Sequence, residues 1–344
     1  MPAIITDKFR IHNSEQFHEA FSEGSGNTMY LGIGRPQAFA TSTRADGRTN
    51  NEGSDTTPLT PADNVNAQAF PFDDMLAAKK ITSSDITFAI PRRNWITGTT
   101  YDIYRHDYGE RITGTTTNQT ANSGASTLHD SSFFVLTTAR NVYKCLDNDN
   151  NTASTVEPTG TSTSILSTAD GYKWKYMYTL SASQQANFLS TDFMAVATDS
   201  TVSSAAVDGA INIVKIKSAG SGGADGTHTN VAIRGDGSSG TVSVTVTSGA
   251  VTAVTVTNAG TGYTFGTISN AQIVAAGATS LTGAELDVII EPKGGHGKDA
   301  VDELGGFFVM TNTNFEGAET SNSGDFNTTN DFRRVSIIKD PNSG

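Results

Sequence analysis

Hydrophobic positions along this chain recur mostly at a spacing of two. Tyr30-Leu31-Gly32-Ile33-Gly34, Ile86-Thr87-Phe88-Ala89-Ile90 and Thr241-Val242-Ser243-Val244-Thr245-Val246-Thr247 all alternate. Alternation marks a strand, because successive side chains point to opposite faces. Residues 133–136, 141–146, 307–310 and 333–338 read as further strands, and residues 3–9 as a strand that opens the chain. In 172–178 the first half sets aromatics against lysines, which predicts a half-buried strand. Residues 251–256 follow 241–247 across Ser248-Gly249-Ala250, which predicts a hairpin. Helical patterns are few. Asn13 or Ser14 can cap a short helix whose Phe17 and Phe21 lie four apart on one face. Residues 73–80 begin acidic and end basic, an order that suits a helix dipole. Residues 183–189 suit a third helix, capped by Ser181 or Ser183. Residues 41–68 and 311–330 lack periodicity and read as long loops.

Composition sharpens this to a mainly β fold with few short helices. The 344 residues include 49 Thr and 34 Gly, and only 17% are charged. Thr favours strands and Gly favours turns, whereas a coiled coil needs Ala, Glu, Lys and Leu. The length suggests two domains or three, with a core that needs no staples. A net charge of −12 repels phosphate backbones, so no nucleic-acid partner is expected. The lone Cys145 excludes an intrachain disulfide and suits folding in a cytoplasm. The first residues lack a signal-peptide pattern, and no apolar run reaches about 20 residues, so no membrane insertion is expected.

Residues 206–290 differ in kind. They hold 14 Gly, eight charged residues and two aromatics, Tyr263 and Phe265. Residues 214–233 return as 254–273 with eight of 20 positions identical. Two copies are too few for a solenoid, so the segment reads as a separate Gly/Thr-rich β module, either a recognition surface or a spacer.

Candidate chemistry is sparse. The phosphate-loop, H-E-x-x-H, C-x-x-C and G-x-S-x-G patterns are all absent. Residues 147–151 resemble the start of a calcium loop, but Thr152 and Pro158 stand where its Gly and Glu belong, which favours an Asn/Asp turn. In Tyr104-Arg105-His106-Asp107-Tyr108 a carboxylate could orient the imidazole, against the plainer reading of a polar strand end. Gly294-Gly295-His296-Gly297 could approach an anion through backbone amides, or be a flexible turn. Cys145 in a strand pattern reads as a core residue. No catalytic residue, cofactor or metal site is assigned. Arg92, Arg93 and Trp95, just past a strand end, are candidate interface or structural-clamp residues, as are Arg333 and Arg334.

Five segments occur in a telling order: residues 5–10 (Ile-Thr-Asp-Lys-Phe-Arg), 90–95 (Ile-Pro-Arg-Arg-Asn-Trp), 142–147 (Val-Tyr-Lys-Cys-Leu-Asp), 170–176 (Asp-Gly-Tyr-Lys-Trp-Lys-Tyr) and 333–338 (Arg-Arg-Val-Ser-Ile-Ile). Together they resemble the gene-product-eight baseplate wedge family of T-even-type contractile-tailed bacteriophages, over about residues 1–200 and the last few dozen. The resemblance implies a non-enzymatic virion protein of the tail baseplate, without cofactor. It implies a homodimer that links neighbouring wedge proteins during assembly and contraction. It also implies two β-sandwich-like domains, the second inserted into the first: residues 1–88 with 291–344, and residues 89–205. The 206–290 module is not part of the family pattern. Family members continue past the point matching Asp340-Pro341, so the expectation is either a shorter variant or a further segment. The alternative reading is a tail fibre or spike whose β module binds glycan; a surface hydrolase is more distant, for want of a nucleophile motif.

Overall fold

The structure is a computed structural model that describes residues 5–23, 27–36, 38, 39, 54, 56, 57, 65–112, 115–315 and 332–341. It is mainly β, with small antiparallel sheets of two to four strands and six short α-helices among the described residues. The Cα positions group into two compact units, one from residues 1–11 and 88–308, the other from 12–87 and 309–344.

In the second unit Met29–Gly34 is the central strand between Arg334–Lys339 and Met75–Ile81. Leu31 lies opposite Ile337 and Lys79, and Ile33 opposite Val335 and Ala77. Met29, Leu31 and Ile81 form the core, with Ala20, Phe21 and Phe315 against it. Here two expectations fail. Residues 73–80 are not a helix: Met75–Ile81 is a strand, and the preceding helix is Val65–Asp73. Exposed and half-buried side chains alternate along that strand, a period of two that the acid-to-base order concealed. Of the expected 41–68 loop, residues 65–68 therefore belong to a helix and most of the rest lies outside the described residues. The expected 311–330 loop has a strand end at Thr311, and most of it also lies outside the described residues.

The chain does not open as a strand over the described part of residues 3–9. Asp7–Glu19 is a helix. Its start is set by Thr6, whose hydroxyl accepts from Phe9 N at 3.3 Å and whose carbonyl accepts from Arg10 N. Asn13 and Ser14 therefore lie inside the helix rather than capping it, and Ser14 is buried. Asp7 in the first turn and His18 in the last suit the dipole. The first turn is held in its own unit. Asp7 meets His129 Nδ1 at 3.0 Å, and the Arg10 guanidinium lies 3.5 Å over the Phe307 ring.

In the first unit the largest sheet runs in the order Phe134–Leu136, Asn141–Asn148, Tyr172–Thr179, Leu166–Ser167. Trp174 stacks on Tyr172 at 5.3 Å and meets Tyr101 edge-on. The Tyr172–Thr179 strand is not half-buried as its alternation implied. Its aromatic face is buried, but so are Lys175 and Met177 on the other face. Ile86–Pro91 pairs with Phe193–Ala195, and Ala182–Phe188 is the expected helix, capped by the Ser181 hydroxyl accepting from Gln184 N at 3.2 Å.

The Gly-rich segment carries its own core of 17 buried residues, all drawn from 211–290 and almost all aliphatic. Thr241–Thr247 is central between Gly226–Ala232 and Ala250–Asn258. The hairpin turns on Ser248 and Gly249, both left-handed at φ 55° and 79°, which matches the twist of its strands. The repeat is conformational as well as sequential. Gly220 and Gly222 have φ 67° and 76°, and their counterparts Gly260 and Gly262 have 65° and 74°. The copies then diverge, the first into the strand Gly226–Ala232, the second into Gly266–Thr267 and the helix Asn270–Ala275. Ion pairs stitch the module to the same unit's main sheet region: Lys215 to Asp147 and Arg105 to Asp287, each at 2.6 Å.

Glycine serves close approach at one further place. The Tyr263 hydroxyl accepts from Gly240 N and donates to Ile233 O, each at 3.1 Å. A Cβ on Gly237 would stand 2.4 Å from the ring. Gly237→Ala is therefore expected to destabilise the chain by about 1–3 kcal/mol through overpacking, read by chemical denaturation. An unchanged midpoint would show that the ring can move away.

Candidate functional site

The site-like residues of the sequence form three sets, the first of which divides between the two units. In the first, Arg92 Nε donates to Asn94 Oδ1 at 3.0 Å and its NH1 to Ser190 O at 2.8 Å. Arg93 donates to Ser131 O and to His129 O, with its guanidinium 4.8 Å over Phe134. Trp95 Nε1 donates to Ser154 Oγ at 3.1 Å. Arg333 NH1 donates to Pro36 O at 2.7 Å. Arg334 shares Asp74 with the buried Arg35, both at 3.4 Å. The fold brings Arg92, Arg93 and Trp95 to the end of one strand, and Arg333 and Arg334 to the start of another in the other unit.

At the second place, Asp107 does not orient His106. It holds Arg105 through both oxygens at 2.8 and 2.7 Å, and Asp287 takes the third bond at 2.6 Å. Burial works against the Arg105 charge, but these bonds outweigh it and hold its pKa above the ordinary value. His106 Nδ1 accepts from Ile290 N at 3.1 Å, and burial lowers its pKa. The neighbouring 147–151 stretch ends a strand at Asn148 and turns over Asp149, Asn150 and Asn151, all left-handed.

The third place is a buried polar centre. Lys144 and Lys175 lie directly opposite each other on adjacent strands and are both buried. Like charges placed so repel. Glu303 answers Lys144 with an ion pair inside the protein. The Gly294–Gly297 turn does approach an anion with its amides, and that anion is Glu303. Gly297 N donates to both its oxygens at 2.8 and 3.0 Å, and Asp299 N to one at 3.2 Å. Glu291 accepts from Asn212 Nδ2 and from His296 N at 3.2 Å. Burial pushes Glu291 up to about 7, opposed by those hydrogen bonds and by Lys144. Burial, then Lys144 and Lys175, push His296 well below its ordinary value, so its imidazole stays neutral. Burial lowers Lys175, and it raises Cys145, which is sealed in the sheet as a core residue. Lys144, Glu291 and Glu303 were not singled out from sequence. The only signal was lysine inside strand patterns, which cannot name a carboxylate more than 100 residues away.

Glu303→Gln should leave Lys144 buried without its counter-charge and cost about 3–5 kcal/mol in denaturant unfolding. Adding Lys144→Met should recover part of that loss, since the orphaned cation goes; full additivity of the two changes would show that the pair is uncoupled. Glu291 gives a pH signature. A folded value near 7 against an ordinary value of 4.5 means that the fold favours its protonated form. Its contribution is complete below pH 4.5 and is lost as pH rises through 7. The melting temperature of Glu291→Gln should therefore fall less between pH 5 and pH 8 than that of the unaltered chain; parallel profiles would refute this.

No helix among the described residues is long and apolar enough to cross a membrane. No curated protein matches the chain. The family model Phage-Gp8, described as Bacteriophage T4, Gp8, matches residues 3–156. That stretch contains three of the five segments quoted above, from Ile5–Arg10, through the Arg92-Arg93 turn, to the strand bearing Lys144 and Cys145. Residues 3–156 are thus similar to the Gp8 family of bacteriophage T4.

Proposed function

We propose that this protein is a homodimeric subunit of a tail baseplate wedge, assembled in the host cytoplasm, which links neighbouring wedge proteins during assembly and contraction. The match to the Gp8 family over residues 3–156 is the observation that carries the reading. The contacts favour the clamp role for Arg92, Arg93, Trp95, Arg333 and Arg334, since each spends its donors on its own chain. We assign self-association instead to the strand Arg334–Lys339. It is the outer strand of its sheet among the described residues, and Val335 and Ile337 are exposed on the face shared with the buried Ile33 and Leu31. An apolar outer strand invites pairing with another copy. As domains we keep the expected division, residues 1–88 with 291–344 and residues 89–205, with 206–290 as a module that has its own core.

Light scattering on the purified chain should give a dimer, and mixing with the other wedge proteins of the same phage should give a mixed complex. Val335→Glu with Ile337→Glu should weaken self-association by roughly tenfold or more while circular dichroism stays unchanged. A strictly monomeric chain that never enters such a complex would refute the proposal. A trimer that binds cell surfaces would favour the fibre or spike reading.

A further inference from the structure

Beside the 147–151 turn, within the first unit, lies a cavity of about 280 Å³. This lies just below the roughly 300–1,000 Å³ span of ligand pockets and suits one ring-sized molecule. Ile103, Ala121 and Tyr108 give it apolar and aromatic lining, and Asn122 and Asn150 contribute side-chain amides. Those two amides are exposed and have no hydrogen-bond partner in the protein among the described residues. Asn150 is the middle of three consecutive left-handed residues, an arrangement that side chains resist. The turn is held by Asn148, which donates to Tyr101 O at 2.9 Å and accepts from Asn151 N at 3.1 Å. An open amide is therefore presented from a fixed position.

Two cations also line the cavity, and both are neutralised from within. Arg105 is bonded to Asp107 and Asp287, and Lys215 to Asp147. The cavity offers dense hydrogen bonding without a free charge. An amide carries donor and acceptor together, which matches a hydroxyl that is also both. Apolar and aromatic lining matches the C–H faces of a pyranose ring.

We propose that this cavity binds a neutral saccharide unit. It does not depend on the wedge reading, and failure of either leaves the other standing. The test uses the full chain and saturation-transfer NMR with glucose, galactose and N-acetylglucosamine, each at about 10 mM, a range that reaches weak single-site binding. At least one of these sugars should receive saturation. The double variant Asn122→Ala, Asn150→Gly should weaken it roughly tenfold, the loss of one or two hydrogen bonds, while circular dichroism shows the chain still folded, because neither side chain bonds the protein and glycine suits the left-handed position 150. The proposal is overturned if none of the sugars binds, or if the variant binds equally well. It is also overturned if inorganic phosphate displaces the sugar, because the cavity would then be an anion site.

Discussion

Two lysines side by side on a buried sheet face dictate much of this architecture. Lys144 and Lys175 sit opposite each other, where the ammonium groups repel and water cannot screen them. Such a face holds only if carboxylates are delivered to it with good geometry. Here they come from far along the chain, Glu303 to Lys144 and Glu291 nearby, after the whole Gly-rich module has been traversed. A buried carboxylate needs more than one cation to satisfy its lone pairs, and the amides of Gly297 and Asp299 supply the rest. The glycine turn, the cap of the helix Ala300–Leu304 and the ion pair are thus one device. Asp299 caps the helix with its own side chain, accepting from Val301 N at 2.9 Å, while its backbone donates to Glu303. The device brings the end of the long inserted segment back onto the sheet that began it.

What was legible in the sequence follows from the range of the forces involved. Strands with a period of two, the Ser248-Gly249 hairpin and the Ser181-capped helix depend on neighbours within a few residues, and they were read correctly. The misread elements are those where a local signal competed with another. Thr6 outranked Asn13 and Ser14 as a cap, and the alternation of Met75–Ile81 outranked its charge order. The half-buried reading of Tyr172–Thr179 failed because a lysine face normally meets water, whereas the Lys175 ammonium is held inside by the Thr163 carbonyl. The polar centre was invisible because its partners are distant in the chain: Lys144 and Glu303 are 159 residues apart, and Asn212 and Glu291 are 79 apart. Family motifs reached further than pattern did, since Val142–Asp147 and Asp170–Tyr176 fall on the two strands that carry the lysines.

The Gly-rich module solves a different problem. Its core is almost free of aromatics, so its sheets must close on thin aliphatic layers. Thin layers demand that backbones approach, and glycine is placed where a Cβ would strike the one large ring, Tyr263, or neighbouring backbone. The Thr hydroxyls on the outer face satisfy one another across strands, at 2.9 Å between Thr241 and Thr257 and 3.2 Å between Thr247 and Thr252. That face needs no charge to stay wetted, which accounts for the composition shift at 206–290.

The residues that looked most capable of chemistry share one fate. Arg105 is clamped by two aspartates, the imidazole of His106 accepts from a backbone amide, and Cys145 is sealed in a sheet. Glu303 spends its charge on Lys144 and its lone pairs on backbone. Each of these polar groups is committed to fixing one piece of chain against another. Groups held this firmly resist displacement. At the surface of the described residues, capacity is left at the apolar outer strand Arg334–Lys339 and in the amide-lined cavity beside the 147–151 turn. Under the two proposals above recognition falls to these surfaces, while the buried charges of the first unit fix its own chain segments against one another.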